Sequence, residues 1–166
     1  MSDSRAATTN ETTLATPGER EIVTERVFDA PRERVWAACT DPELIARWWG
    51  LRSTRTVVDR QELEPGGAWR FVEINADGSQ AGFRGVYREV VAPERLVYTF
   101  EYEGTPGRVL VDTVTFDDLG ERTRVTIHSL FHTSEERDGM LSAGMEVGLN
   151  EGYEALDELL AELAAR

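Results

Sequence analysis

The C-terminal end of the chain carries one apolar stripe, which is typical of a long amphipathic helix. Large apolar side chains recur every three or four residues, at Leu141, Met145, Leu149, Tyr153, Leu156, Leu160 and Leu163. Thr133 and Glu136 precede the stripe at the spacing of a capping box. We therefore expect one helix of about 30 residues, and its apolar face must be covered by a second layer of structure.

The residues before this helix alternate between apolar and polar with a period of two, as β-strands do. Strands are predicted over residues 21–28, 54–62, 68–75, 82–91, 96–102, 109–116 and 123–131. Two short helices are predicted between the first two strands, the second with Asp41 as its N-cap. Strands at this spacing form an antiparallel meander. The expected fold class is α+β, with a curved antiparallel sheet of six or seven strands around the C-terminal helix.

The chain is expected to contain one domain, over residues 21–166, after an N-terminal tail. Residues 1–20 carry almost no large apolar side chains apart from Leu14, which predicts a disordered tail. This tail lacks the apolar core of a secretory signal, and no run of apolar residues is long enough to span a membrane. Cys39 is the single cysteine, so an intrachain disulfide is excluded. These features favour a soluble, cytoplasmic protein.

The charge balance excludes several kinds of partner. The chain has 31 acidic and 18 basic residues and a formal net charge of −13. Nucleic acids and anionic membranes require a basic surface, so we expect neither as a partner. The charge favours solubility and leaves open an acidic face for a basic protein partner. All the basic residues are arginine, which indicates a microbe with a GC-rich genome.

An ordered set of short motifs resembles the SRPBCC (START/Bet v1-like) superfamily and, within it, the activator of Hsp90 ATPase homologue 1-like (AHSA1) family. The motifs are VFDAP at 27–31, VW at 35–36, TDPEL at 40–44, WWG at 48–50, PGG at 65–67, GV at 85–86, PERLVY at 93–98 and GY at 152–153. The resemblance implies a helix-grip fold with a hydrophobic cavity between sheet and helix. Relatives bind lipids, sterols or polyketides, and a few catalyse cyclisation or hydration.

Aromatic side chains on the strands are the best candidates for a ligand site, because rings supply most of the apolar area of a pocket. Packing of the same rings into a solid core is the alternative. The residues predicted to line the cavity are Trp48, Trp49, Trp69, Phe71, Phe83, Tyr87, Tyr98, Phe100, Asp112, Met145 and Leu149. The expected ligand is a small hydrophobic or amphipathic molecule. No cofactor, metal or catalytic residue is predicted, and the protein is expected to be a monomer or homodimer.

Two carboxylates interrupt apolar strand faces and are the acids of interest. Glu73 shares the phase of Trp69 and Phe71, and Asp112 shares the phase of Val114. If these faces point inward, burial would raise the pKa of each acid and suit it to bind a ligand or exchange protons. The alternative is an outward face, or pairing with an arginine of a neighbouring strand. The available arginines are Arg70, Arg84, Arg88 and Arg108. His128 has the opposite phase to the apolar side chains of its strand and is expected to face solvent or to lie at the rim of the cavity.

Three glycines, Gly144, Gly148 and Gly152, share one face of the predicted C-terminal helix. Each costs about 1 kcal/mol relative to alanine in a helix interior. Either the sheet approaches the helix closely there, or side-chain volume is withheld to leave a cavity. We favour the cavity, and we expect a flexible first half of the helix to act as a gate.

Three functions are consistent with the sequence. The first is a binding module for a small hydrophobic ligand, and we expect binding rather than catalysis. The second is an enzyme of the cyclase or hydratase kind that uses a cavity carboxylate or histidine. The third is a chaperone-linked, stress-response domain that binds proteins through its acidic surface.

Overall fold

The structure is a computed structural model that describes residues 10–166, so the first part of the expected tail lies outside the described residues. The described part has eight strands and four helices. In chain order they are β1 (Thr13–Ala15), β2 (Glu21–Phe28), α1 (Arg32–Thr40), α2 (Pro42–Trp48), β3 (Arg55–Gln61), β4 (Ala68–Ile74), β5 (Gln80–Val91), β6 (Arg95–Tyr102), β7 (Leu110–Asp118), β8 (Thr123–Leu130), α3 (Ser134–Ser142) and α4 (Met145–Ala164).

The strands form one antiparallel sheet in the order β1-β2-β8-β7-β6-β5-β4-β3. The run from β3 to β8 is a meander, and β2 pairs with β8 at the end of that run. Helices α1 and α2 carry the chain from β2 to β3 near the opposite edge. The predicted α+β architecture, a curved antiparallel sheet with a C-terminal helix, is confirmed. The sheet has eight strands rather than six or seven.

The additional strand, β1, comes from the segment that was expected to be disordered. Leu14 lies opposite Thr24 on β2, and the pairing covers Thr13–Ala15. Main-chain hydrogen bonds to a neighbouring strand order this segment although it supplies little apolar surface. A short strand of this kind carries no alternating pattern long enough to be recognised in a sequence.

Two predicted helix caps are present. The Asp41 carboxylate accepts a hydrogen bond from the backbone N–H of Glu43, at 3.0 Å, and begins α2. At the start of α3, the Thr133 hydroxyl accepts from the backbone N–H of Glu136, and the Glu136 carboxylate accepts from that of Thr133. These side chains satisfy backbone donors that have no partner inside the helix.

The prediction of one continuous C-terminal helix is wrong, because the chain breaks at Gly144. This residue has φ of 83°, a left-handed conformation that glycine adopts without a steric penalty. Helix α3 ends at Ser142 and α4 begins at Met145. The apolar stripe is therefore shared by two helices.

The cavity explanation for the helix glycines is also wrong. A Cβ atom on Gly152 would lie 3.6 Å from the carbonyl oxygen of Trp48, and one on Gly148 would lie 3.6 Å from Leu51 Cδ2. Both glycines therefore face the end of α2 and the loop after it. At that distance a methyl group would make only an ordinary contact, and neither glycine lines the cavity described below. The nearest neighbours of these two glycines are thus α2 and its following loop, and not the sheet, as the other explanation proposed.

The main core lies between the sheet, α1 and the second half of α4. Phe28, Val35 and Leu156 have no exposed surface, and Leu160 is 2% exposed. The Tyr153 ring meets the Phe28 ring edge-on, with 5.0 Å between centroids. This packing fixes α4 across the inner face of the sheet and defines the space that remains beside it.

Candidate functional site

A cavity of about 130 Å³ lies between the inner face of the sheet and the helices. Its walls come from α1, α2, α4 and strands β4 to β8. The lining side chains are Cys39, Ile45, Trp48, Trp49, Trp69, Phe71, Tyr87, Leu96, Tyr98, Phe100, Val114, Phe116, Val125, Ile127, Leu149, Tyr153 and Leu156. The cavity is thus mostly apolar, as ligand pockets are, with a few hydroxyl and indole N–H groups.

Aromatic rings in mutual contact form the strand side of the cavity. Trp69 lies 4.8 Å from Phe71 and 5.8 Å from Tyr98, measured between ring centroids. The Trp69 and Tyr98 rings meet edge-on, an arrangement that rings favour. Such contacts hold the rings in place, so they form a preformed wall.

The tryptophan pair at the end of α2 closes another side. The Trp48 indole N–H donates to the carbonyl oxygen of Ala38 at 2.8 Å, which ties α2 to α1. Trp49 meets Phe71 and Phe83 edge-on, at 5.3 and 5.1 Å. Both tryptophans line the cavity although adjacent residues point in different directions, because α2 ends at Trp48 and Trp49 is already extended.

Most of the predicted side chains surround this cavity: Trp48, Trp49, Trp69, Phe71, Tyr87, Tyr98, Phe100 and Leu149. Three do not. Phe83 packs behind Trp49 and Phe100, and Met145 packs on a separate cluster formed by Ile22, Leu110 and Phe131. Asp112 is buried next to Tyr98 without being part of the lining. The role of these residues in binding a ligand stays a prediction.

Sequence reasoning missed several apolar lining residues. Leu96, Val114 and Ile127 lie opposite one another on β6, β7 and β8. Leu96 shares its strand phase with Tyr98, so the alternation pattern could have identified it. Cys39 also lines the cavity, and burial raises the pKa of its thiol to about 12. The thiol is therefore neutral near pH 7 and packs as a small apolar side chain.

Asp112 faces inward and is 8% exposed. The Ser129 hydroxyl donates to its Oδ1 at 2.5 Å. Burial raises the pKa of the Asp112 carboxyl to about 6, while Ser129, the Tyr98 hydroxyl and the charge of His128 hold it lower than burial alone would. This acid therefore titrates close to neutral pH.

Pairing of Asp112 with an arginine, the alternative considered above, is wrong. Arg70 pairs with Glu103 at 2.8 Å, and Arg84 pairs with Glu101 at 3.1 Å. Within residues 10–166, no arginine lies at ion-pair distance from Asp112. A buried carboxylate without a cation is costly, and such groups are concentrated at functional sites.

Glu73, the other acid of interest, lies beside the loop that follows α2. It is half buried, burial raises its pKa, and its carboxylate accepts a hydrogen bond from the backbone N–H of Leu51. It also lies close to Gly50 and opposite Thr56 on β3. Glu73 thus holds the loop that follows α2 and is not part of the cavity wall.

His128 faces away from the cavity, as expected from its phase. Its Nε2 lies 2.5 Å from a carboxylate oxygen of Glu21 on the neighbouring strand. In the part of the chain that the structure describes, no three His, Cys, Asp or Glu side chains come together as metal ligands would. No helix among residues 10–166 is both long and apolar enough to cross a membrane.

Comparison with known families decides the relationship of this chain. The model of the family described as activator of Hsp90 ATPase homolog 1-like protein (AHSA1) matches residues 29–161. The chain belongs to this family. The match covers α1 to most of α4 and therefore all the elements that form the cavity.

Solved structures agree with the AHSA1 assignment. A protein from Rhodobacter sphaeroides is 25% identical, with a TM-score of 0.85 over 92% of this chain and 99% of that chain. A protein from Arthrobacter aurescens is 30% identical, with a TM-score of 0.83 over 90% and 91% of the two chains. The AHSA1 protein from Silicibacter pomeroyi, 20% identical over 87% and 98% with a TM-score of 0.69, shares the fold. No curated protein matches the chain.

Proposed function

We propose that this AHSA1-family protein binds a small, largely apolar molecule in the cavity beneath α4. The observation that carries the proposal is the volume of about 130 Å³ bounded by aromatic and aliphatic side chains. A void of this kind reduces stability, because its lining side chains lose packing partners. An apolar cavity of about 150 Å³ holds a benzene molecule, so a single ring or a short branched chain fits here.

The cavity volume restricts the ligand class in the present conformation. Pockets for drug-sized ligands occupy roughly 300–1,000 Å³. The sterols and polyketides suggested by the family resemblance therefore exceed the space available. They would require α3 and the first turns of α4 to move outward, and this is the segment where Gly144 interrupts the helix.

The proposal is tested by filling the cavity. Val114 lines it, and Val111 on the same strand has the opposite phase. Toluene should shift the backbone amide resonances of cavity residues in the wild type and in Val111→Phe, but not in Val114→Phe. Native mass spectrometry of the purified protein should show an added mass that disappears on denaturation. Unchanged spectra in the presence of saturating toluene would contradict the proposal.

A cyclase- or hydratase-type enzyme is a second candidate, and Asp112 is the observation that favours it. An acid with a pKa of about 6 can accept and return a proton near neutral pH. The test is to follow the mass of any co-purified ligand during incubation of the protein with it. Conversion by the wild type and not by Asp112→Asn would support catalysis, and a constant ligand mass would support binding alone.

A chaperone-linked role is a third candidate, favoured by the family description and by the net charge of −13. A purified bacterial Hsp90 provides a direct test. Stimulation of its ATPase rate that weakens as salt is added would support an acidic interaction surface. An unchanged ATPase rate at low salt would contradict this role.

A further inference from the structure

A row of polar side chains crosses the inner face of the sheet. Tyr87 on β5 lies opposite Tyr98 on β6, Tyr98 lies opposite Asp112 on β7, and Asp112 lies opposite Ser129 on β8. We call these four residues the polar row. Its neighbours in the next row toward α1, Leu96, Val114 and Ile127, are all apolar. The polar row is therefore the main source of hydrogen-bonding groups on the strand side of the cavity.

The polar row reaches the cavity through its tyrosines. Tyr87 and Tyr98 line the cavity, and Asp112 lies directly beyond Tyr98. The Gln61 side chain donates to the Tyr87 hydroxyl at 3.3 Å, and Ser129 donates to Asp112. Hydrogen-bond donors therefore already approach the row from both of its ends.

The centre of the row has unused capacity to accept hydrogen bonds. A carboxylate offers about four lone-pair positions, and Ser129 and the Tyr98 hydroxyl occupy part of them. Tyr98 lines the cavity and lies opposite Asp112, so the lone pairs of its hydroxyl oxygen are also within reach of a ligand. Within residues 10–166, no arginine supplies the missing donors.

We infer that the Tyr98 hydroxyl at the cavity wall, with Asp112 directly behind it, selects ring-sized ligands that carry a hydrogen-bond donor and no negative charge, such as an alcohol or a phenol. The inference rests on the proposed binding function and specifies its ligand class. A hydroxyl group on the ligand supplies the donor that the row lacks. A carboxylate on the ligand would place a second negative charge beside Asp112, so acids of the same size are excluded.

Three matched probes test the inference: toluene, benzyl alcohol and benzoate. In a purely apolar cavity the hydroxyl of benzyl alcohol would lose its water partners without compensation and weaken binding by about tenfold or more relative to toluene. In the wild type at neutral pH we expect benzyl alcohol to bind at least as tightly as toluene, and benzoate not to bind. Dissociation constants come from amide-shift titrations.

Two substitutions at Asp112 separate hydrogen bonding from structure. Asp112→Leu removes the carboxylate behind Tyr98, and it should weaken the binding of benzyl alcohol by about tenfold while the binding of toluene changes by less than about twofold. Asp112→Asn keeps an acceptor oxygen without the charge, so the variant should still bind benzyl alcohol and should also bind benzoate. Toluene binding also reports that each variant is folded.

The outcomes distinguish this inference from the function on which it rests. If the wild type binds toluene but binds benzyl alcohol at least tenfold more weakly, the preference for a hydrogen-bond donor is wrong, while binding in the cavity stands. If Asp112→Leu weakens the binding of toluene and of benzyl alcohol equally, the preference for a donor is likewise wrong. Failure of all three probes to bind the wild type would overturn cavity binding, and the inference with it.

Discussion

The two parts of the C-terminal helical segment differ in how they are packed. The second half of α4 buries Tyr153, Leu156, Leu159 and Leu160 against the sheet, α1 and α2. Helix α3 buries no side chain. One continuous apolar stripe in the sequence therefore serves two roles: its second half holds the fold together, and its first half covers the region beside the cavity.

The boundary between the two parts also appears on the sheet. Leu110 at the start of β7 belongs to the cluster that packs against α3, together with Ile22 and Phe131. Val114 on the same strand belongs to the main core. Asp112 lies between them, so the polar row marks the boundary between the two apolar clusters.

Removing a side chain from the second half of α4 should reduce stability more than any other change considered below. Leu156→Ala should lower the free energy of unfolding by roughly 4 kcal/mol, because it leaves a void in a fully buried position. Leu141→Ala, the same change on α3, should cost about 1 kcal/mol, since Leu141 is only partly buried. Urea denaturation measures both. Equal losses for the two variants would show that the two parts are packed alike.

The next effect concerns Asp112 and depends on pH. Because burial raises its pKa from 3.8 to about 6, the protonated carboxyl favours folding, and this stabilisation is lost as the pH rises through that interval. Asp112→Asn should therefore raise the free energy of unfolding by at most about 3 kcal/mol near pH 8, and the gain should shrink toward pH 4.

The exposed Asp117 provides the control for this measurement. It lies near the end of the same strand and pairs loosely with Arg124. Asp117→Asn should change the free energy of unfolding by less than about 1 kcal/mol at either pH. An Asp112→Asn gain that stays the same from pH 4 to pH 8 would contradict the buried, uncompensated state of the carboxylate.

The smallest changes in stability are expected for glycine substitutions at and near the break between α3 and α4. Gly144→Ala should lower the free energy of unfolding by about 1 kcal/mol, because alanine resists the left-handed conformation that separates α3 from α4. Gly152→Ala should be neutral or raise it by up to about 1 kcal/mol, since a methyl group there meets only ordinary contacts and alanine favours the helix. Thermal unfolding ranks the two variants, and a reversed order would place the break elsewhere.

The sequence was sufficient to predict the elements whose patterns are local. The period of two identified strands β2 to β8, and the Thr133 and Glu136 pair identified the start of α3. The break at Gly144 was not predicted, because the apolar stripe continues across it without a change of period. Strand β1 was missed because three residues are too few to show an alternation.

The sequence predicted an aromatic cavity but not which side chains contact one another in it. The phase of Asp112 placed it among the apolar side chains of its strand but left open whether that face points inward, and its neighbours Tyr98 and Ser129 depend on the pairing register of three strands. Phe83 was assigned to the cavity from its residue type, whereas Trp49 covers it in the fold. Contacts between distant segments set these details, and a local pattern does not contain them.

We propose that the cavity beneath α4 binds a small, largely apolar molecule. Titration of the isotope-labelled wild type with toluene, followed through its backbone amide resonances, tests this claim most directly. We expect saturable shifts at residues around Tyr98, Val114 and Leu149, and their loss in Val114→Phe. Shifts that do not saturate, or that persist unchanged in Val114→Phe, would contradict it.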